Sequence, residues 1–204
     1  MRMQGRATRA VMVVGFVVGA AVGCTGTPGA PTTPTSPVSA TFTPSPTPTE
    51  PAPAPTPTAA VTTPPERPAA MSEATADGAA AAGVYFLRLH YYMFATGDTA
   101  EWEQLSSPDC GFCERRLSAA TTMHQTGNHT ESDPVGIDDA TGIEILPFES
   151  YSATFRMREP ASREVTSSGD IASSSGGGLY DVLVALTWSD GWRVDAVDIA
   201  RGEG

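Results

Sequence analysis

The sequence predicts an α+β domain, with N-terminal helices packed on one face of an antiparallel sheet, behind a long segment that cannot pack. Three observations predict it. Fourteen of the 18 prolines lie between residues 28 and 68. From residue 72 to 126 apolar side chains recur with helical spacing, and from Ile143 onward they alternate with the period of a strand. The 204 residues therefore divide into a signal peptide (1–23), a lipidated Cys24 with a disordered Pro/Thr-rich linker (24–70) and the folded domain (71–204).

Residues 1–9 carry Arg2, Arg6 and Arg9 and no acid, and residues 10–22 form a 13-residue apolar run, the charge and length of a signal peptide. The run is too short for the ~20 residues of a spanning helix. It ends in Ala21-Val22-Gly23-Cys24. Small residues before a cysteine look like a bacterial lipobox, after which cleavage would leave Cys24 as a diacylglycerol-bearing N-terminus. The alternative is a secreted protein cut nearby, with Cys24 a free thiol, a liability in an oxidising compartment. Several acyl chains on one cysteine hold a protein to a membrane where a single chain holds only marginally.

Residues 25–68 contain 13 Thr and 14 Pro. Proline fixes φ and removes a donor, so this stretch favours extended polyproline II, at ~3.1 Å per residue, over helix or sheet. It reads as a stalk, and its Thr/Pro density resembles O-glycosylated stalks.

Residues 72–96 read as the first helix, with Val84, Leu87, Tyr91 and Phe94 on one buried stripe and Gly97 at the C′ position. Asp98 with Glu101 reads as a capping box for a short helix around Trp102 and Leu105, closed by Pro108. Residues 110–126 read as the third helix, with Leu117, Ala119, Ala120 and Met123 inward and Gly127 as its stop. A polar loop (128–139) follows. Ile143, Ile145, Tyr151, Ala153, Phe155 and Met157 then mark strands, as do residues 163–166. Gly176-Gly177-Gly178 marks a flexible turn, residues 179–188 a strong strand, and Asp190-Gly191 the hairpin into residues 192–199.

Three features occur together in order. They are the aromatic helix ending in Gly97-Asp98-Thr99, the segment Leu105-Ser106-Ser107-Pro108-Asp109-Cys110-Gly111-Phe112-Cys113, and the terminal Gly191-Trp192-Arg193-Val194. Over residues 72–200 they resemble an actinobacterial lipoprotein family of unknown function. That family is similar to the nuclear-transport-factor-two-like (SnoaL-like) cone fold. The resemblance implies export and a cone-like, curved antiparallel sheet closed on one side by helices. It implies no activity and no catalytic residues.

Charge and chemistry bound the function. The formal net charge is −11, every basic residue is Arg, and residues 71–204 hold 21 acids against eight arginines. Such a surface repels a phosphate backbone, so nucleic acid is excluded as a partner. Cys110-Gly111-Phe112-Cys113 opens a helix, which admits a redox centre. Thioredoxin-like chemistry expects a preceding strand, however, and a helix and a Pro-containing turn stand there instead. A structural disulfide between Cys110 and Cys113, with about 2 kcal/mol of loop-closure stabilisation, is the favoured reading. No second Cys or His pair stands at zinc spacing. His90 reads as a packed or helix-surface residue. His124 and His129 lie near Asp133, Asp138 and Asp139 in what reads as a solvated acidic loop rather than a metal site. Trp102, Trp188 and Trp192 read as packing residues. A pocket between helix and sheet would be lined by Tyr85, Tyr92, Asp181 and Asp195, subject to one residue of strand register.

The expectation is a non-enzymatic, lipid-anchored protein on the extracytoplasmic face of the cell membrane, without cofactor, metal or catalytic residues. A stalk would hold its domain out to bind a small ligand or a cell-wall or envelope protein partner. The alternative is an extracytoplasmic enzyme using the pocket, or a thiol–disulfide protein using Cys110 and Cys113.

Overall fold

The computed structural model describes residues 61–203. The signal peptide, Cys24 and most of the Pro/Thr segment lie outside the described residues. The chain runs from a 3₁₀ turn (Ala69–Ser72) into three helices, α1 (Ala76–Thr96), α2 (Ala100–Leu105) and α3 (Gly111–Gln125). Seven strands follow: β1 (His129–Ser132), β2 (Gly136–Leu146), β3 (Ser150–Glu159), β4 (Ser162–Val165), β5 (Ile171–Ser175), β6 (Gly178–Trp188) and β7 (Trp192–Arg201). They form two antiparallel sheets, a four-stranded one in the order β2-β3-β6-β7 and a three-stranded one in the order β1-β4-β5. The fold is thus α+β, with two sheets where one was expected.

The core sits between α1 and the inner face of the larger sheet. Period-2 alternation sends Tyr151, Ala153, Phe155 and Met157 of β3 and Val182, Val184 and Leu186 of β6 inward. Trp192 and Val194 of β7 join them. Helix α1 starts four residues later than expected, where the Thr75 hydroxyl accepts from the Gly78 amide, and it stops at Gly97 with φ +80°. It is buried on nearly every side, not along one stripe: only Asp77, Arg88 and Thr96 are exposed, and Val84 is half-buried. A helix apolar all round is one wrapped by the rest of its domain. Its first half is built of Gly78, Ala79, Ala80, Ala82 and Gly83, and a Cβ on Gly83 would stand 3.1 Å from that of Ala153. The small residues let helix and sheet approach closely.

The other helices differ from expectation in detail. The cap of α2 is Thr99, not Asp98, whose carboxylate instead accepts from the Ala100 amide at 3.2 Å. In α3 Cys113 and Ala120 are buried, Leu117 and Met123 are half-buried and Ala119 is exposed. The 128–139 segment is not a loop: it holds β1 and the start of β2. Strand β2 is an edge strand with a bulge between Asp138 and Thr141, where Asp139 takes φ +56°. Its inward positions are Gly142, paired with Ala153, and Glu144, paired with Tyr151. Ile143 pairs with Ser152 on the other face, so Ile143 and Ile145 are exposed at 57% and 59%. One step of register turned the expected core pair outward. A Cβ on Gly142 would stand 1.8 Å from the Ala76 carbonyl oxygen, so β2 can pass under the start of α1 only at a glycine.

The folded unit also takes in residues 61–70, which composition alone assigned to the linker. Val61 packs against the core. The Arg67 guanidinium lies 2.6 Å from Glu101, and the other oxygen of that carboxylate accepts from the Tyr85 hydroxyl at 2.5 Å.

Candidate functional site

The four residues expected to share a pocket do not meet. The hydroxyl of Tyr85 is committed to Glu101, and that of Tyr92 donates to Asp98 at 3.2 Å, near the end of α1. Burial first, then the neighbouring carboxylate, raises the pKa of each phenol. Asp181 lies on the outer face of the sheet, exposed, 3.7 Å from Arg156. Asp195 is the extra residue of a bulge in β7, and its carboxylate accepts from Thr187, also on the outer face. Inward positions on β6 are the even-numbered ones, and the bulge turns Asp195 away from its expected side.

The space those residues were expected to line is filled. Phe86 and Trp102 stack with centroids 3.9 Å apart, and Trp192 stands edge-on to Tyr151 and Trp188 at 4.9 and 5.0 Å. The indole of Trp192 donates to the Met71 carbonyl and that of Trp102 to the Cys113 carbonyl. All three tryptophans are packing residues.

Cys110 and Cys113 are joined by a disulfide at the start of α3. The Cys110 sulfur accepts from the Cys113 amide, and each residue is only 1% exposed. The preceding turn is tied to β7, because the Ser107 amide donates to the Val194 carbonyl at 2.9 Å. The bridge staples the first turn of α3 to its own cap, and the Ser107 bond ties the preceding turn to the sheet. A reactive thiol pair needs at least one accessible sulfur, and neither cysteine offers one.

A polar site does form, at the other end of α1, from residues that the sequence did not single out together. His90 lies on α1 and Arg116 on α3. The Arg116 Nε donates to His90 Nε2 at 2.8 Å, and its guanidinium sits 4.8 Å over the ring of Phe94, one helical turn beyond His90. With Nε2 accepting, a neutral His90 carries its proton on Nδ1, which is buried without a partner among the described residues. Burial, and secondarily the charge of Arg116, push the His90 pKa down to about 3. A general base needs a free lone pair and a pKa near working pH; His90 has neither. Tyr91 points toward the end of β3, its hydroxyl 3.5 Å from Glu159 and 3.8 Å from the Met157 sulfur. Burial first, then Glu159, raises the Tyr91 pKa.

Two adjoining clefts of ≈240 Å³ each meet at these residues, and His90, Tyr91, Arg116 and Glu159 line both. One runs under the small sheet past Ser162, Glu164 and Ser173 to Ser175. The other runs between helices and large sheet past Leu87, Phe112, Met157, Tyr180 and Ile199. Together they approach the size of small-molecule sites, with a few polar groups set among apolar ones. The sequence reads His90 as a packed or helix-surface residue, and the structure adds its bond to Arg116. Arg116 differs from Arg115 only in helical phase, which α3, polar on most sides, leaves ambiguous. His124 caps α1, its Nε2 3.1 Å from the carbonyls of Met93 and Phe94, and His129 lies 3.7 Å from Glu131. Neither joins Asp138 or Asp139, which are exposed on β2.

Comparison with curated proteins finds no match. Among solved structures, the crystal structure of the intermembrane space region of chloroplast protein ARC6 is similar at a TM-score of 0.50 and 9% identity. The similarity covers 63% of this chain and 98% of that one, and at this identity it speaks of fold alone. The profile of a family of unknown function (DUF6318) matches residues 49–193, more than half of the chain, and the chain belongs to that family.

Proposed function

We propose that this protein is a lipid-anchored binding module of the cell envelope, exported by its leader and held to the membrane through Cys24. On this reading a Pro/Thr stalk carries the domain away from the membrane, and its helices close one side of a cone-like sheet whose mouth takes a small ligand. The lipobox-like Ala21-Val22-Gly23-Cys24 and the resemblance to actinobacterial lipoproteins support the location. A buried disulfide also suits an oxidising compartment.

The observation that carries the binding function is the polar end of α1. A half-buried arginine held by His90 and Phe94 lines two clefts and takes part in none of the ion pairs among the described residues. Taking a guanidinium partly out of water is costly, and an incoming polar group offsets that cost. Binding is favoured over catalysis because the one histidine in the site is locked neutral with its lone pair occupied.

Two measurements test the reading. Fractionation of cells expressing the full chain and Cys24→Ala is expected to move the protein from membrane to soluble fraction; retention of Cys24→Ala in the membrane overturns the anchor. Non-denaturing mass spectrometry of the full chain isolated from its own envelope is expected to show a low-mass adduct that Arg116→Gln loses. An adduct that survives Arg116→Gln counts against this cleft.

A further inference from the structure

Resting on that reading of the cleft, we propose that its ligand is a zwitterion, an apolar α-amino acid whose carboxylate meets Arg116 and whose ammonium meets Glu159. The argument begins with two opposite charges that share the same walls. Arg116 and Glu159 both line both clefts, yet they form no ion pair with each other, and neither has another ion-pair partner among the described residues. Among the described residues the Glu159 side chain accepts only the long hydrogen bond from Tyr91, and Arg116 is near enough to feel its charge without pairing to it. A simple anion at Arg116 would meet the repulsion of Glu159, and a simple cation at Glu159 would meet that of Arg116. Only a ligand carrying both signs uses both groups.

The geometry of Arg116 favours a carboxylate. Guanidinium presents five donors in a planar fork; Nε is spent on His90, which leaves the two terminal nitrogens for bidentate pairing with two oxygens. His90 and the ring of Phe94 hold the fork in place, so little side-chain freedom remains to be lost on binding. The apolar arm decides the rest of the ligand. Leu87, Phe112, Met157 and Ile199 offer no charge, and Tyr180 contributes mainly ring. A branched aliphatic or aromatic side chain on the α-carbon fits there. The other arm, lined by Ser162, Glu164 and Ser173 to Ser175, gives the backbone end of the ligand hydroxyl partners.

The test uses the full chain in detergent, titrated with leucine, with 4-methylpentanoate, which lacks the ammonium, and with 3-methylbutylamine, which lacks the carboxylate. Calorimetry and the Arg116 Nε–H resonance report binding. Leucine is expected to bind at least about tenfold more tightly than either analogue, the loss of one charge-assisted contact. Glu159→Gln is expected to bring leucine down to the level of 4-methylpentanoate and leave 4-methylpentanoate no weaker. Arg116→Gln is expected to abolish binding of leucine and of the acid. Arg116→Lys, which keeps the charge and loses the fork, is expected to weaken leucine without the cavity of a truncation. If 4-methylpentanoate binds as tightly as leucine, the zwitterion falls and an anion-binding cleft survives. If no probe binds and the Arg116 resonance does not move, the cleft falls as a site for these small charged ligands as well.

Discussion

The two ends of helix α1 meet the same sheet in opposite ways. At its N-terminal end glycine and alanine bring helix and sheet into contact, and Trp192, with Tyr151 and Trp188, fills what remains. Toward its C-terminal end Leu87, His90, Tyr91 and Phe94 are bulky and line the clefts, and the polar tips of His90 and Tyr91 need partners. One helix thus acts as a wedge: side-chain size along its length closes one end of the domain and opens the other. The cleft is a consequence of volume before it is a consequence of chemistry.

The first way to break this contrast is at the closed end. Trp192→Ala removes a fully buried indole and its bond to Met71, and is expected to cost about 3–5 kcal/mol in denaturant unfolding, the range for large-to-small aromatic changes. A loss under ~1 kcal/mol would mean that the end is not tightly packed. Gly83→Val drives a branched side chain into Ala153, Phe155 and Val184, and about 1–3 kcal/mol of overpacking is expected at the same readout. Replacing Cys110 and Cys113 together by Ala is expected to cost about 2 kcal/mol, since the closed loop is short. Activity of the pair in a disulfide-reductase assay would instead support the redox alternative.

The open end is expected to answer to pH. His90 is held neutral in the folded state with a pKa near 3, against about 6.5 unfolded. The unfolded chain therefore binds the extra proton between those values, and stability falls as pH drops through that window, by at most ~1.4 kcal/mol per unit. In His90→Gln, which keeps an acceptor for Arg116, that part of the acid slope is expected to vanish; an unchanged slope would show that His90 is not buried neutral. Smallest of all, Tyr91→Phe removes only long polar contacts and is expected to change stability by less than ~1 kcal/mol, with the protein's melting temperature as the check.

The same contrast explains what could be read beforehand. Strands β3, β6 and β7 announce themselves by their alternation, and helices α1 and α3 by long turn-free runs that stop at Gly97 and Gly127. Strands β1 and β5 do not: β1 is four residues of mostly polar character, and Ile171-Ala172-Ser173-Ser174-Ser175 lies wholly exposed, so neither has an alternation to see. The bulge at Asp139 hid the start of β2 and, with the edge position, misassigned Ile143 and Ile145. The site failed for a related reason. Tyr85 and Tyr92 are indeed buried, but their hydroxyls are satisfied within their own layer, and the two aspartates ride the outer face. Arg116 and Glu159 reach the same clefts only through the tertiary packing of α3 on α1 and of α1 on β3, which no local spacing encodes.

The clasp of Arg67, Glu101 and Tyr85 bears on mechanics. A chain tethered at its N-terminal end transmits tension into the domain through the segment just before the 3₁₀ turn. Among the described residues, the first charged contact along that path joins Arg67 to Glu101, which Tyr85 braces from the central helix. Under that proposed tether, load would pass to α2 and α1 together, upstream of the Trp192 bond to Met71, instead of peeling the turn away from one end. With the anchor proposed above, the clasp would act as a strain relief, the part of a cable fitting that keeps a pull on the cord from reaching the joint.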